Sequence, residues 1–226
     1  MPLPLVLVTG FGPFEDRRNN PSRTIARALE RRPPAGLRVR SCELPVSFHG
    51  APREVDRFVA RHARSRPLLV LGLGVQREGY FRPERRARGT YTTQRIDNDG
   101  TVGASLGSSV GPTLETSLDL RRVARLLRES GAPRVRVSSN AGGYVCERTY
   151  HALLTSAGSR GIPALFLHVP PAESMPAAQQ ARIVRALLAA LLGQPSAMRG
   201  RSSGSAGRDA AKARKRAVKS RRSRPM

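Results

Sequence analysis

The run "PLLVLGLG" at residues 67–74 decides the fold class, because it is apolar throughout and does not alternate with polar residues. A strand that is buried on both faces has such a continuous apolar run, whereas a strand with one solvated face alternates. Similar runs are "PLVLVTG" at 4–10 and "PALFLHV" at 163–169. Strands of this kind predict a mostly parallel sheet that is covered on both faces.

Helical patterns separate these strands along the chain. Apolar residues recur at helical spacing in five segments, 21–32, 51–65, 113–131, about 144–157 and 176–193. Two further strands are predicted at 37–44 and 134–139. Because strands alternate with helices, we expect an α/β protein, a three-layer α/β/α sandwich around a mostly parallel twisted sheet.

The length and composition indicate one domain with a cytoplasmic location. The chain has 226 residues, which is enough for one domain with a large core. No basic signal-peptide region precedes the first strand, and the apolar stretch "ALLAALL" at 186–192 is too short to cross a bilayer. Two cysteines make no disulfide framework, and the four histidines show no metal-ligand spacing. We therefore expect a cytoplasmic location, no membrane association and no metal site.

The C-terminal segment has a different composition from the body. Residues 199–226 contain 11 of the 40 basic residues and one of the 16 acidic residues, and they contain no aromatic residue. Such a segment buries too little to offset its chain entropy, so we expect a domain at 1–194 followed by a disordered basic tail at 195–226. The tail either binds nucleic acid or another polyanion nonspecifically, or is a solvated extension without a partner. In the first case the body is a scaffold or a catalytically silent fold.

Cys146 follows the Gly-rich stretch "NAGGY" at 140–144 and lies at the start of a predicted helix. One hypothesis is an inert core cysteine, which is the usual role of a free cysteine. The other is a nucleophile whose pKa is lowered by the positive end of the helix dipole. Backbone N–H groups at Cys146 and in the loop after Glu84 would then receive an oxyanion. The neighbouring Glu147 opposes thiolate formation.

Two further residues are candidates for acid–base chemistry. His168 ends an apolar strand and is either a hydrogen-bonded core histidine or a base for Cys146. Glu84, in "RPERRARG" at 82–89, is either a solvated carboxylate beside arginines or the acceptor of an imidazole N–H. The remaining histidines are predicted to lie on the surface: His49, His62 and His151.

The stretch "TGFGPFED" at 9–16 resembles a dinucleotide-binding turn only superficially, because Glu15 replaces the third glycine. Phe11 and Phe14 either fold into the core or line a small flat pocket.

Four stretches together resemble the pyroglutamyl peptidase I (pyrrolidone carboxyl peptidase) family of cysteine exopeptidases. They occur in the family's order and spacing and span residues 5–192: "VLVTGFGPF" (6–14), "VLGLGVQREGYFRPERRA" (70–87), "SSNAGGYVCERTYHALL" (138–154) and "ALFLHVPP" (164–171). The most specific signals are the run from Ala141 to Cys146 and the His-Val-Pro that begins at His168.

The resemblance implies a catalytic triad of Glu84, Cys146 and His168. It also implies an α/β/α sandwich that removes N-terminal pyroglutamate from peptides through a Cys146 thioester, without a metal or organic cofactor. Its substrates would be N-terminally pyroglutamylated peptides. Because relatives often form dimers or tetramers, a homo-oligomer is a further expectation.

The resemblance also assigns the substrate pocket. Phe11 and Phe14 would enclose the pyrrolidone ring, and Val145 would form a pocket wall. The chain departs from many relatives at the pocket rim, with Val75 at a glutamine position and Gln76 one place on. Two asparagine positions of the family are occupied by Gly89 and Glu147.

Overall fold

The computed structural model describes residues 2–14, 19–90, 93–107 and 110–193. Within these residues the main elements, in chain order, are β1 (Leu5–Phe11), α1 (Pro21–Arg31), β2 (Arg38–Leu44), α2 (Gly50–His62), β3 (Leu69–Val75), β4 (Arg82–Glu84), β5 (Arg86–Ala87), β6 (Leu114–Glu115), α3 (Leu120–Glu129), α4 (Val145–Gly158), β7 (Ala164–Val169) and α5 (Ala177–Leu192). The predicted tail at 195–226 lies outside the described residues.

A five-stranded sheet forms the middle layer, with strand order β2-β1-β3-β7-β4. The first four strands are parallel, and β4 joins the edge antiparallel to β7. Strands β5 and β6 form a separate antiparallel pair. The prediction of a mostly parallel sheet is therefore confirmed, and the antiparallel edge strand is the addition to it.

The apolar runs bury both faces of the sheet, because alternate side chains of a strand point to opposite sides. Val6 and Val8 lie in one core cluster with residues of α1, α3 and α5. Leu5 and Leu7 lie in a second cluster with residues of α2 and α4. Helices thus cover both faces, and the three-layer sandwich is confirmed.

The prediction of a strand at 134–139 is wrong. Only Val135 and Ser138 form isolated parallel bridges, to Phe81 and Glu84. The Ser138 N–H donates to the Pro83 carbonyl, and the Arg136 N–H donates to the Phe81 carbonyl. Pro83 has no N–H to continue this ladder between those two bonds, so the pairing is interrupted.

Helix α3 begins later than the predicted start at residue 113. Asp119 is its N-cap, since its Oδ1 accepts hydrogen bonds from the N–H groups of Arg121 and Arg122 at 2.9 and 3.4 Å. The preceding residues pair as β6 with β5 instead of joining the helix. No helix in the described ranges is long and apolar enough to cross a membrane.

The start of α1 packs directly against the end of β1. The Phe11 N–H donates to Ser22 Oγ at 3.0 Å, and the Asn20 side-chain amide donates to the Gly12 carbonyl at 3.0 Å. A Cβ at Gly10 would lie 2.6 Å from the Ser22 carbonyl carbon and 2.8 Å from the Arg23 nitrogen. Glycine at this position therefore allows the close approach of helix and strand.

We predict that Gly10→Ala lowers the free energy of unfolding by about 1–3 kcal/mol, because backbone atoms must move to admit the methyl group. Gly158→Ala is the matched control, since nothing lies within 4 Å of its Cβ position. Alanine favours helix there, so this variant should unfold at the same or slightly higher denaturant concentration. Urea unfolding monitored by circular dichroism measures both variants; equal midpoints would contradict the packing argument.

Candidate active site

A cavity of about 160 Å³ lies where β1 and β3 end and α4 begins. The carboxyl ends of parallel strands form one edge of the sheet, which is where ligands of α/β proteins bind. The cavity is far smaller than the roughly 300–1,000 Å³ of sites for drug-sized ligands, so it suits a small group. Its lining includes Phe11, Phe14, Gln76, Arg95, Val145 and Cys146.

The loop before α4 places Cys146 in the first turn of the helix. Asn140 Oδ1 accepts the Gly142 N–H at 3.0 Å, which closes a tight turn. Gly142 and Gly143 then have φ of +102° and +66°, a left-handed conformation that glycine adopts without strain. The Gly-Gly pair therefore turns the chain into a helix that begins at Val145.

The missing side chains of β3 make room for the thiol. A Cβ at Gly74 would lie 2.9 Å from the Phe166 ring and 3.1 Å from Cys146 Sγ. Gly74 is also the residue that pairs with His168 in the sheet. The Sγ atom therefore lies over the strand position next to His168, and a larger residue at Gly74 would displace it.

Glu84 and His168 form a buried carboxylate–imidazole pair. His168 Nδ1 lies 2.8 Å from Glu84 Oε1, and the carboxylate side chain is completely buried. The Nε of Arg82 donates to the same oxygen at 2.7 Å. The hypothesis of a solvated Glu84 is therefore wrong, although its pairing with an arginine is present. Through Nδ1, Glu84 fixes the ring of His168 and leaves Nε2 for other chemistry.

The expected low pKa of Cys146 is contradicted. The pKa of Cys146 is raised to about 12, chiefly by burial and then by the negative charge of Glu84; Glu147 adds to the rise, while Arg82 and Arg95 oppose it. A helix terminus contributes only about 0.3–1 kcal/mol, which is less than the cost of desolvating a thiolate. The resting side chain is therefore a neutral thiol that needs a base.

The side chains of Glu147 and His151 are buried, which the sequence did not indicate. Glu147 is fully buried; its Oε1 accepts the Arg88 N–H, and its Oε2 lies 3.7 Å from the Arg88 guanidinium. His151 is also buried, with Nε2 3.0 Å from the Pro112 carbonyl, so its prediction as a surface histidine is wrong. Glu147 thus holds Arg88, in the segment after Glu84, against α4, and His151 holds Pro112 there.

The backbone donors of the site differ in their availability. The Arg85 N–H donates to the Ser138 carbonyl at 2.6 Å, and the Arg88 N–H donates to Glu147. These two groups after Glu84 are therefore already occupied, contrary to the expectation for that loop. The N–H groups of Val145 and Cys146 precede the first hydrogen bonds within α4, so the helix start can donate to an anion.

The structure brings the three predicted pocket residues to the same cavity as Cys146. Phe11 belongs to the core and also lines the cavity, so both alternatives for it apply. Phe14 is half-buried, with its ring 5.6 Å from that of Tyr144. The guanidinium of Arg95 lies over both rings, at 5.2 and 4.6 Å from their centroids.

Sequence reasoning missed three contributors, Arg82, Arg95 and Tyr144. Arg82 was not detectable, because its place on the same face as Glu84 depends on β4, and a strand of three residues shows no periodicity. Gln76, noted only as a shifted glutamine, lines the cavity as well. Its Nε2 donates to the Tyr80 carbonyl, while its buried Oε1 has no hydrogen-bond partner among the described residues.

Two other cavities of the described chain lack the side chains of Glu84, Cys146 and His168. A larger cavity, about 590 Å³, lies between α1 and α5 and is lined by arginines, alanines and a leucine. It contains none of the nucleophilic or acid–base residues discussed above. Across the described ranges no group of three His, Cys, Asp or Glu side chains is arranged to hold a metal ion.

Comparison with known proteins shows likeness to a single family. A family model described as pyroglutamyl peptidase matches residues 5–189. The pyrrolidone-carboxylate peptidase of Streptomyces coelicolor is 32% identical over 206 residues, covering 84% of this chain and 93% of the relative. That of Halalkalibacterium halodurans is 31% identical over 180 residues, covering 76% and 87%.

Solved structures show the same likeness. The pyrrolidone carboxyl peptidase from Thermococcus litoralis superposes with a TM-score of 0.74 at 25% identity, covering 84% of this chain and 94% of that one. The enzyme from Fervidobacterium islandicum gives 0.71 at 27% identity, covering 84% and 99%. These matches define the chain as a cysteine peptidase on an α/β/α scaffold. It belongs to the pyroglutamyl peptidase family.

We predict that alkylation of Cys146 by iodoacetamide accelerates with pH up to at least pH 10. The reactive thiolate increases about tenfold per pH unit below its pKa, whereas an ordinary cysteine with a pKa near 8.5 would level off earlier. Peptide mass spectrometry in a Cys42→Ser background, which removes the other half-buried thiol, measures the rate. A rate that is already at its plateau near neutral pH would contradict a resting thiol.

Proposed function

We propose that this chain hydrolyses the peptide bond after an N-terminal pyroglutamyl residue, with Cys146 as nucleophile, His168 as general acid and base, and Glu84 orienting His168. The observation that carries the proposal is the 2.8 Å contact between Glu84 Oε1 and His168 Nδ1, next to the strand position over which Cys146 Sγ lies. Membership of the pyroglutamyl peptidase family supports the substrate class.

The chemistry begins from a neutral thiol and a neutral imidazole. Because Glu84 accepts the Nδ1 proton, Nε2 is the basic nitrogen and takes the thiol proton as Sγ attacks the carbonyl carbon. The N–H groups at the start of α4 stabilise the oxyanion of the tetrahedral intermediate. His168 then protonates the departing amine, which leaves a pyroglutamyl thioester on Cys146. Water, deprotonated by His168, hydrolyses that thioester.

The cavity suits a flat, uncharged ring. Pyroglutamate has no free α-amine, and its lactam offers one N–H donor and one carbonyl acceptor. Phe11, Phe14 and Val145 supply apolar walls. The buried Oε1 of Gln76 is an unoccupied acceptor at this cavity, and we assign it to the lactam N–H, because an unpaired buried acceptor is costly until the ring binds.

The charges at the cavity favour an acidic residue after pyroglutamate. Among the described residues, the charged side chains that line it are those of Arg77 and Arg95, and none is a carboxylate. We predict that pyroglutamyl-glutamate is cleaved with a higher kcat/KM than pyroglutamyl-lysine, by about tenfold at low salt. Added salt should reduce the ratio, and Arg77→Gln should reduce it as well. Equal rates for the two dipeptides at low salt would contradict the prediction.

The decisive test of function is release of a fluorescent amine from a pyroglutamyl amide. Wild type should turn over, and Cys146→Ala should lose activity by at least about a thousandfold, because the nucleophile is absent. Cys42→Ala, at the other cysteine, should keep wild-type activity. A Cys146→Ala protein with wild-type turnover, or a folded wild type that is inactive under reducing conditions across pH, would contradict the proposal.

A chain that ends at Gln194 tests, in the same assay, the hypothesis of a polyanion-binding tail on a catalytically silent body. We expect full peptidase activity from this truncation, since the described residues that line the cavity lie between Phe11 and Cys146. Polyanion binding by residues 195–226 and homo-oligomer formation stay predictions from the sequence. Salt-sensitive DNA binding that is lost with the truncation would favour polyanion binding by the tail.

A further inference from the structure

Arg82 shares a single carboxylate oxygen with the candidate catalytic histidine. Arg82 and Glu84 lie on the same face of β4, two residues apart, and Arg82 pairs with His168 across the sheet. Glu84 Oε1 receives the Arg82 Nε–H at 2.7 Å and faces His168 Nδ1 at 2.8 Å. The side chain of Arg82 is 19% exposed, so it lies between this buried oxygen and the solvent.

The carboxylate needs this arginine. Glu84 is fully buried, and its second oxygen, Oε2, has no hydrogen-bond partner among the described residues. A buried carboxylate without a compensating cation binds a proton, or draws one onto a neighbouring imidazole. Arg82 is the cation whose ion pair with Glu84 is present in the resting structure.

Arg82 also approaches the imidazole itself. Its Nη2 lies 3.4 Å from His168 Nδ1. A guanidinium is only a donor, and Nδ1 carries the proton that it donates to Glu84, so this approach places like-polarity groups together. The approach of Arg82 Nη2 therefore opposes binding of a second proton by the His168 ring. The hydrogen bond from Arg82 Nε favours the ionised form of Glu84.

We propose that Arg82 is a positioning residue that sets the proton occupancy of the Glu84–His168 pair. It keeps the carboxylate ionised and the imidazole neutral, so that Nε2 is free to accept the thiol proton near neutral pH. This role rests on the proposed function, since it acts through His168 and Glu84 and not on the substrate.

Other ionisable groups lie near the Glu84–His168 pair. From α4, Cys146 and Glu147 lie close enough to interact electrostatically, and Arg95 acts from the loop that borders the cavity. Tyr150, also on α4, donates its hydroxyl proton to the Glu84 carbonyl at 2.9 Å. Burial raises the pKa of Tyr150, so its hydroxyl stays protonated.

The test compares Arg82→Met with Arg82→Lys across pH. In Arg82→Met the pair should bind a proton more readily, so the acidic limb of kcat/KM for a pyroglutamyl amide should move up by about one pH unit. Activity should recover towards wild type above the shifted limb. Arg82→Lys keeps the charge and should keep the limb. Arg136→Met removes a cation that stacks on Tyr80 near the same sheet edge, and should leave the limb unchanged.

A second measurement does not depend on turnover. The charge of Arg82 lowers the pKa of Cys146, against the larger effect of burial. Alkylation of Cys146 at a fixed alkaline pH should therefore slow several-fold in Arg82→Met and not in Arg82→Lys, both in the Cys42→Ser background.

The outcomes separate the two proposals. An inactive wild type whose alkylation still slows in Arg82→Met would refute the peptidase function and retain the charge effect of Arg82. A folded Arg82→Met protein with an unshifted acidic limb and unchanged alkylation would overturn the inference. A uniform loss of activity at every pH, with a lowered unfolding midpoint, would likewise overturn it in favour of a purely structural role.

Discussion

The active-site architecture depends on one buried contact, the pair formed by Glu84 and His168. A carboxylate with no solvent exposure is tolerated only if its charge is compensated. The short strand β4 meets this requirement, because its antiparallel pairing with β7 places Arg82 and Glu84 on the face that carries His168. The parallel strands alone would end at the sheet edge without a carboxylate near the imidazole.

The glycines of β3 form the complementary constraint. Gly72 and Gly74 leave space on the α4 side of the sheet that Leu153, Phe166 and Cys146 fill. The first turn of α4 can therefore lie directly against the strands, where desolvation of the half-buried thiol raises its pKa. In the proposed mechanism such a thiol is activated by its base at the moment of attack, not by a permanently low pKa.

Much of the fold was predictable from the sequence, because continuous apolar strands and amphipathic helices follow simple periodicities. The predicted parallel strands at 4–10, 37–44, 67–74 and 163–169 correspond to β1, β2, β3 and β7. Short strands such as β4 were not predictable, since three residues show no periodicity and Pro83 argues against a strand. The segment 134–139 has a strand pattern, but the missing N–H of its neighbour Pro83 interrupts its pairing.

The candidate site was likewise predictable only in part from the sequence. Local sequence placed Cys146 at a helix start, and the family likeness brought it together with Glu84 and His168. The prediction of a low pKa for Cys146 was wrong, because desolvation is a property of the packed structure and not of sequence neighbours. The role of Arg82 was hidden for the same reason, since its partner His168 is 86 residues away along the chain.

The most direct test of the central claim is to trap the covalent intermediate. Rapid acid quench of the enzyme with a pyroglutamyl ester, followed by peptide mass spectrometry, locates any acyl group. The account predicts a pyroglutamyl thioester on the peptide that contains Cys146, and its absence in Cys146→Ala. Turnover without an adduct in burst-phase samples, or an adduct on another residue, would contradict it.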